Sequence, residues 1–217
     1  MNVEQARFNM VEQQIRTWEV LNPVVLELLL QVKRENFVPE DSKDLAFADV
    51  ELPIGHGQVM LQPKLEARLL QEALLGKDDK VLEVGTGTGY MTALLSHMAK
   101  QVVSVDIFSD FTDRAFKQLN QLGITNVVLE TGDASRGWAA KAPYDAIIMT
   151  GSEPILSEEL VEMLNPGGRL IAILGDAPVM HVQRIQKIGM GNRKVTDLFE
   201  TSVLPLINAV QPKRFVF

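Results

Sequence analysis

Val81-Leu82-Glu83-Val84-Gly85-Thr86-Gly87-Thr88-Gly89-Tyr90 is the stretch whose reading decides the fold. Its first four residues form a short apolar run that predicts a buried strand. The three glycines that follow let the backbone take positive φ and approach a ligand closely. From Tyr90 onward, Tyr90, Ala93, Leu94 and Met98 fall at helical spacing, so the turn joins a strand to a helix N-terminus. Such a junction offers N–H groups and a positive dipole end, which suit a carboxylate or a phosphate. A second apolar strand, Val102-Val103-Ser104-Val105-Asp106, ends in an acid. An acid about twenty residues past such a turn can accept hydrogen bonds from both hydroxyls of a ribose.

Two cofactor classes share this outline. The dinucleotide fingerprint is G-x-G-x-x-G, whereas this chain has Gly85-x-Gly87-x-Gly89 with Tyr90 in the sixth place. Glu83, two residues before the first glycine, would repel a pyrophosphate but suits the sulfonium and ammonium of S-adenosyl-L-methionine. The expected cofactor is therefore S-adenosyl-L-methionine, with Glu83, Gly85, Thr86, Gly87, Gly89, Asp106, Ile107, Asp133 and Ala134 as its binding residues. Asp133, in Gly132-Asp133-Ala134, is read as an acceptor for the adenine amino group. A turn aspartate bonding its own backbone is the alternative for that residue.

Outward from this core, strands are expected at 81–84, 102–106, 127–130, 144–150 and 168–174, with helical periodicity over 109–122 and 157–164. This alternation predicts a doubly wound, mostly parallel α/β sheet of Rossmann-like methyltransferase type. Segments 179–188 and 194–204, separated by Gly189-Met190-Gly191-Asn192, add a closing antiparallel hairpin and bring the sheet to seven strands. The tail Phe215-Val216-Phe217 is apolar enough to pack down. Before the core, Phe8, Val11, Ile15 and Trp18 define one helical face, Asn22-Pro23 caps a second helix over 24–36, and a helix is expected over 64–75. Residues 37–62, punctuated by Pro39, Pro53, Gly55 and Gly57, read as a long functional loop. The whole, 1–217, is expected to be a single domain: N-terminal helices and a substrate-side loop in 1–62, and the cofactor-binding core in 63–217.

Composition excludes several classes. The 217 residues carry a formal charge of −7 and no cysteine. The charge argues against a nucleic-acid partner, and the missing cysteines remove disulfides, thiol catalysis and thiolate metal sites. Even 24–32 is broken by Glu27 and Gln31, so no membrane span is expected. The start, Met1-Asn2-Val3-Glu4-Gln5, has neither the basic nor the apolar region of a signal peptide. A soluble cytoplasmic enzyme is the expectation. His56, His97 and His181 lack metal-ligand spacing, and no metal is expected. Trp138 is read as a loop anchor and Asp145 as structural, on the edge away from the ligand.

The order Phe37-Val38-Pro39, Leu45-Ala46-Phe47-Ala48-Asp49, Leu52-Pro53-Ile54-Gly55-His56-Gly57-Gln58, Pro63 and then the glycine turn resembles the protein-L-isoaspartate O-methyltransferases. Gly132-Asp133, Gly137-Trp138, Ala142-Pro143-Tyr144-Asp145 and Leu164-Asn165-Pro166-Gly167-Gly168 continue the likeness. The resemblance implies methyl transfer from S-adenosylmethionine to the carboxylate of isoaspartyl residues in damaged proteins or peptides. The family's Thr-Ile-Ser, whose serine contacts the reacting site, is replaced here by Val59-Met60-Leu61. The family's serine position is thus Leu61, no catalytic residue is assigned, and Gln58, Val59 and Ser152 are the substrate-side candidates. Glu153, in Gly151-Ser152-Glu153-Pro154, is expected to place a negative charge near the acceptor. The lost hydroxyls leave room for a different acceptor or for a non-catalytic, cofactor-binding regulatory role.

Overall fold

A computed structural model describes residues 2–189 and 191–212; the tail Phe215-Val216-Phe217 and Met190 of the closing turn lie outside the described residues. The chain opens with α1 (Val3–Asn9), capped by the Asn2 side chain, and runs on through a wide turn over Met10–Ile15 and a tight one over Arg16–Trp18. In the wide turn the Arg16 N–H reaches the Val11 carbonyl, five residues back, and the helical face changes phase. The expected stripe is corrected accordingly: Met10, Val11 and Ile15 are buried, whereas Phe8 and Trp18 are 49% and 42% exposed. Arg7 takes the inner place instead, ion-paired with Glu4 and Glu35.

Helix α2 (Pro23–Gln31) starts as expected, with the Asn22 side chain accepting from the Val24 N–H and Pro23 in the first turn. It stops short of Asn36, giving way to a tight turn over Arg34–Asn36. The segment expected to be an irregular loop also carries more structure than its prolines and glycines suggest. After a turn over Glu40–Leu45 it forms an antiparallel hairpin, β1 (Leu52–Gly55) and β2 (Gln58–Met60). Gly55 and Gly57 flank its tip at φ +105° and +69°, conformations that favour glycine.

Helix α3 (Pro63–Glu72) leads into the main sheet. Along the chain come β3 (Lys80–Val84), α4 (Tyr90–Met98), β4 (Gln101–Asp106), α5 (Ser109–Gln121) and β5 (Val127–Thr131). They are followed by β6 (Tyr144–Glu153), α6 (Glu158–Glu162), β7 (Leu164–Leu174), β8 (Met180–Gly189) and β9 (Asn192–Thr201). The seven strands lie in the order β5-β4-β3-β6-β7-β8-β9. Pairing is parallel from β5 to β7 and antiparallel for β7·β8 and β8·β9, so the doubly wound architecture with its closing hairpin is as read from the sequence.

Alternation along the central strands builds a core on each face of the sheet. Val81, Val102, Ile148 and Ile171 pack with the N-terminal helices, α3, α4 and α5. Leu82, Val103, Ile147 and Leu170 pack with Tyr144, Leu160 and Val161 on the other side. The connection from β3 leads to β4 on one side, while β6 lies on the other side of β3. This reversal opens a crevice beyond the carboxyl ends of β3 and β6, and Thr150 bridges it by donating to the carbonyls of Val84 and Gly85, each at 2.9 Å.

Candidate active site

The crevice is a cleft of about 700 Å³, partly open to solvent, and it gathers residues that are remote in sequence. Gly85 and Gly87 come from the turn after β3, Asp106 to Phe108 from the end of β4, and Gly132 to Ser135 from the end of β5. Gln58, Val59 and Leu61 arrive from the hairpin and Leu204 to Ile207 from a strap after β9.

The glycine turn has the backbone expected of it, with φ of +97°, +52° and +83° at Gly85, Gly87 and Gly89. Its N–H groups, however, are already engaged. Gly85 donates to the Val105 carbonyl at 2.9 Å, Gly87 to Asp106 Oδ2 at 2.8 Å and Gly89 to the Thr86 carbonyl at 2.8 Å. The expectation that this turn offers free donors to an anion is corrected for these three positions. Asp106 also accepts from the Phe108 N–H at 3.0 Å, so each carboxylate oxygen holds one backbone donor and keeps a lone pair for a ligand. Burial pushes the Asp106 carboxyl above its ordinary range, opposed by those same N–H groups.

Asp133 makes the local turn bond and also faces the cleft. Its Oδ1 accepts from the Ser135 N–H at 2.9 Å, the local turn bond, while the residue lines the cleft. Burial acts to raise its carboxyl, but Ser135 and the Asn208 amide outweigh that effect and hold it below the ordinary value. Ile107 and Ala134 stand with Phe108 and Leu206 in the apolar part of the lining, suited to an aromatic base.

Two expected cofactor contacts sit elsewhere, and a third turns its side chain inward. Glu83 is buried away from the cleft beneath α4, accepting from Thr92 Oγ1 at 2.5 Å, and burial raises its carboxyl to about 8. Even-numbered Leu82 and Val84 share one face of β3, so odd-numbered Glu83 faces the helices instead. Gly89 caps α4 and is pressed against α5; a Cβ there would lie 2.9 Å from Ala115 Cβ. Thr86 turns inward to Ser104 at 2.6 Å and borders a smaller adjoining cavity.

On the acceptor side Gln58, Val59 and Leu61 do reach the cleft, Leu61 with only 6% of its surface exposed. Ser152 does not. It is buried at the end of β6, where its N–H donates to the Leu204 carbonyl and its own carbonyl accepts from Leu206, each through the strap. Glu153 is also buried rather than aimed at an acceptor, and burial raises its carboxyl to about 7 against the N–H groups of Ser157 and Val210. The other sequence assignments hold their places. Asp145 accepts from the Lys80 N–H and the Asn165 amide, and the Tyr144 hydroxyl donates to the carbonyl of Trp138, which packs into the second core. His97 contacts the Ala93 carbonyl within its own helix.

The cleft also takes Phe108, Phe111 and the strap, which the glycine and acid motifs do not indicate. The two aromatics lie two and five residues after the strand-ending Asp106, a usable signal, whereas nothing local marks Leu204 to Ile207 as lining. His56, at the hairpin tip, stacks on Phe108 with ring centroids 4.0 Å apart and meets Asp110 at 2.9 Å. The hairpin is thereby fastened to the wall of the cleft. Among the described residues the cleft lining holds two carboxylates, Asp106 and Asp133, and no lysine or arginine. With the glycine N–H groups engaged, this chemistry fits a nucleoside bearing positive charge, as S-adenosylmethionine does, and opposes a pyrophosphate.

A family model for protein-L-isoaspartate(D-aspartate) O-methyltransferase matches residues 5–211. The protein-L-isoaspartate O-methyltransferase 1 of Rhodopseudomonas palustris (strain HaA2) is 39% identical over 202 residues, 93% of this chain and 82% of that protein. The corresponding protein of Myxococcus xanthus is 43% identical over 151 residues, 70% of this chain and 71% of its own length. Among solved structures, a candidate protein-L-isoaspartate O-methyltransferase from Plasmodium falciparum, in complex with S-adenosyl-L-homocysteine, superposes with a TM-score of 0.79. It is 19% identical, with 95% of this chain and 99% of that one covered, a likeness in fold.

Proposed function

The chain belongs to the protein-L-isoaspartate(D-aspartate) O-methyltransferase family, and from that premise we propose that it transfers a methyl group from S-adenosylmethionine to the side-chain carboxylate of isoaspartyl residues in proteins or peptides. The observation that carries the reading is the cleft's polar lining, in which Asp106 and Asp133 stand beside a glycine turn whose N–H groups are engaged. When bound, S-adenosylmethionine supplies a methyl group activated by a sulfonium.

The chain's own residues then bind and align. Asp106 accepts from the ribose hydroxyls, Asp133 from the adenine amino group, and Ile107, Phe108 and Ala134 enclose the base. An isoaspartyl carboxylate is ionised at neutral pH and needs no general base to act as a nucleophile. What it needs is alignment and exclusion of water. Val59, Leu61 and the strap provide an apolar wall, and the Gln58 amide is the donor offered to the acceptor carboxylate. Residues 1–217 act as one domain, with 1–62 and the strap after β9 furnishing the acceptor side and the rest of 63–217 the cofactor side. A formal charge of −7 disfavours a nucleic-acid acceptor. Among the described residues no helix is long and apolar enough to cross a membrane, and we place the enzyme in the cytoplasm.

The test is transfer of labelled methyl to an isoaspartyl peptide, with its aspartyl isomer as control. The expected result is a base-labile methyl ester on the isoaspartyl peptide alone. Tight S-adenosylhomocysteine binding without any such transfer would sink the acceptor assignment.

A further inference from the structure

With Glu83 walled off beneath α4, a different carboxylate stands beside the glycine turn. Glu66, in the first turn of α3, is 4% exposed and borders a small cavity together with Leu61, Gly85, Thr86, Gly87 and Thr88. Among the described residues its only hydrogen-bond partner is Arg34, which binds Glu66 Oε2. The rest of that guanidinium donates to the carbonyls of Ala46 at 3.0 Å and Leu61 at 2.8 Å. The second oxygen of this carboxylate makes no hydrogen bond among the described residues, and the residue borders the small cavity beside the glycine turn.

We propose that Glu66, oriented by Arg34, is the anionic seat for the α-ammonium group at the amino-acid end of the cofactor. The assignment rests on the S-adenosylmethionine reading above. An ammonium is a compact cation with three donors, and a buried carboxylate with a free oxygen is its natural counterpart. The charge is also wanted energetically. Burial raises the Glu66 carboxyl to about 7 in spite of Arg34, so an incoming cation restores an ionised form that burial disfavours. Glu66 in turn helps to raise the Glu83 carboxyl and the Tyr90 hydroxyl, the other titratable groups coupled to it.

Calorimetric titration at pH 7.5 decides the matter with three probes: S-adenosylhomocysteine, its analogue lacking the α-amino group, and 5′-methylthioadenosine, which lacks the amino-acid end. The wild type is expected to bind S-adenosylhomocysteine at least tenfold more tightly than the deaminated analogue. Glu66→Gln is expected to lose about tenfold for S-adenosylhomocysteine, to bind both homologues equally, and to hold methylthioadenosine as the wild type does. Equal losses for all three probes would reduce Glu66 to a structural role, and an unchanged S-adenosylhomocysteine affinity would remove it from the site; either overturns the inference. If the variant does not fold, the wild-type comparison still decides, because equal affinity for the amino and deaminated ligands is fatal. Failure of the wild type to bind any of the three overturns the cofactor reading itself.

Discussion

The donor and acceptor halves of the cleft are built in opposite ways. The donor half hangs on strand ends. Gly85 follows β3, Asp106 closes β4 and Gly132 follows β5, and the backbone links them in series. Gly85 donates to Val105, Gly87 to Asp106 and Gly132 back to the Asp106 carbonyl at 2.9 Å. The acceptor half has no such frame. It joins a hairpin from early in the chain to a strap from its end, held by Arg34 on Leu61, by His56 on Phe108 and by the Ser152–Leu206 backbone bonds. Local sequence dictates the first half, whereas tertiary contacts assemble the second. The first should therefore fail abruptly when one position is altered, and the second should tolerate change and alter its specificity.

The sharpest break in that comparison is Gly85→Ala. A Cβ at this position would lie 2.2 Å from Thr150 Oγ1 with φ at +97°, and Thr150 is the hydroxyl that bridges β3 and β6. Left-handed strain in a non-glycine residue costs of order 1–3 kcal/mol, and displacing Thr150 costs a further ~1 kcal/mol for each hydrogen bond lost. Loss of S-adenosylhomocysteine binding by at least a hundredfold, with a lowered thermal midpoint, is expected from titration and melting. A variant that binds within threefold of the wild type would show that the turn has far more freedom than its contacts imply.

The same contrast explains what was legible in the sequence. Strand ends and the glycine turn could be read because apolar alternation and the glycine spacing are local signals. The seven-stranded sheet emerged with strand bounds displaced by a few residues. Glu83 lies off the site because a motif position says nothing about which face of β3 the side chain occupies. Parity with Leu82 and Val84 could have supplied that information. The hairpin at Leu52–Met60 was hidden by Pro53, Gly55 and Gly57, which read as loop punctuation although Leu52 and Ile54 alternate inward. Ser152 and Glu153 looked like site residues because they follow a strand end, but the strap that buries them comes from residues 203–206, which no local pattern connects to β6.

A second change tests the acceptor half. Leu61→Ser returns a hydroxyl to the cleft at the cost of buried apolar volume, and large-to-small changes in a core lose about 2–5 kcal/mol. Stability should fall. Activity should move the other way: a buried donor for the acceptor carboxylate contributes about 1–3 kcal/mol, so kcat/KM for an isoaspartyl peptide should rise about tenfold while S-adenosylhomocysteine affinity, although Leu61 also borders the cavity beside Glu66, shifts far less. Steady-state kinetics beside calorimetry separates the two halves. A matching change in cofactor affinity would mean that the halves are not independent.

The smallest effect lies where the strap crosses β6. The folded Glu153 carboxyl is raised to about 7 from an ordinary 4.5, so between those values the folded chain holds a proton that the unfolded chain gives up. The stability this proton contributes is fully present below pH 4.5, declines as the pH rises through 7 and is absent above it. Glu153→Gln cannot ionise and removes that dependence without emptying the space. Glu66 and Glu83, raised to about 7 and about 8, add slopes of the same sign and are untouched by this change. Thermal melts from pH 5 to pH 8.5 should therefore show the wild type losing more stability than the variant, which gains a few degrees at the alkaline end, where ~1 kcal/mol corresponds to about 2–4 °C for a chain of this size. Parallel curves would mean that Glu153 reaches water as the strap moves. The acceptor half would then be looser at that crossing than its backbone hydrogen bonds imply.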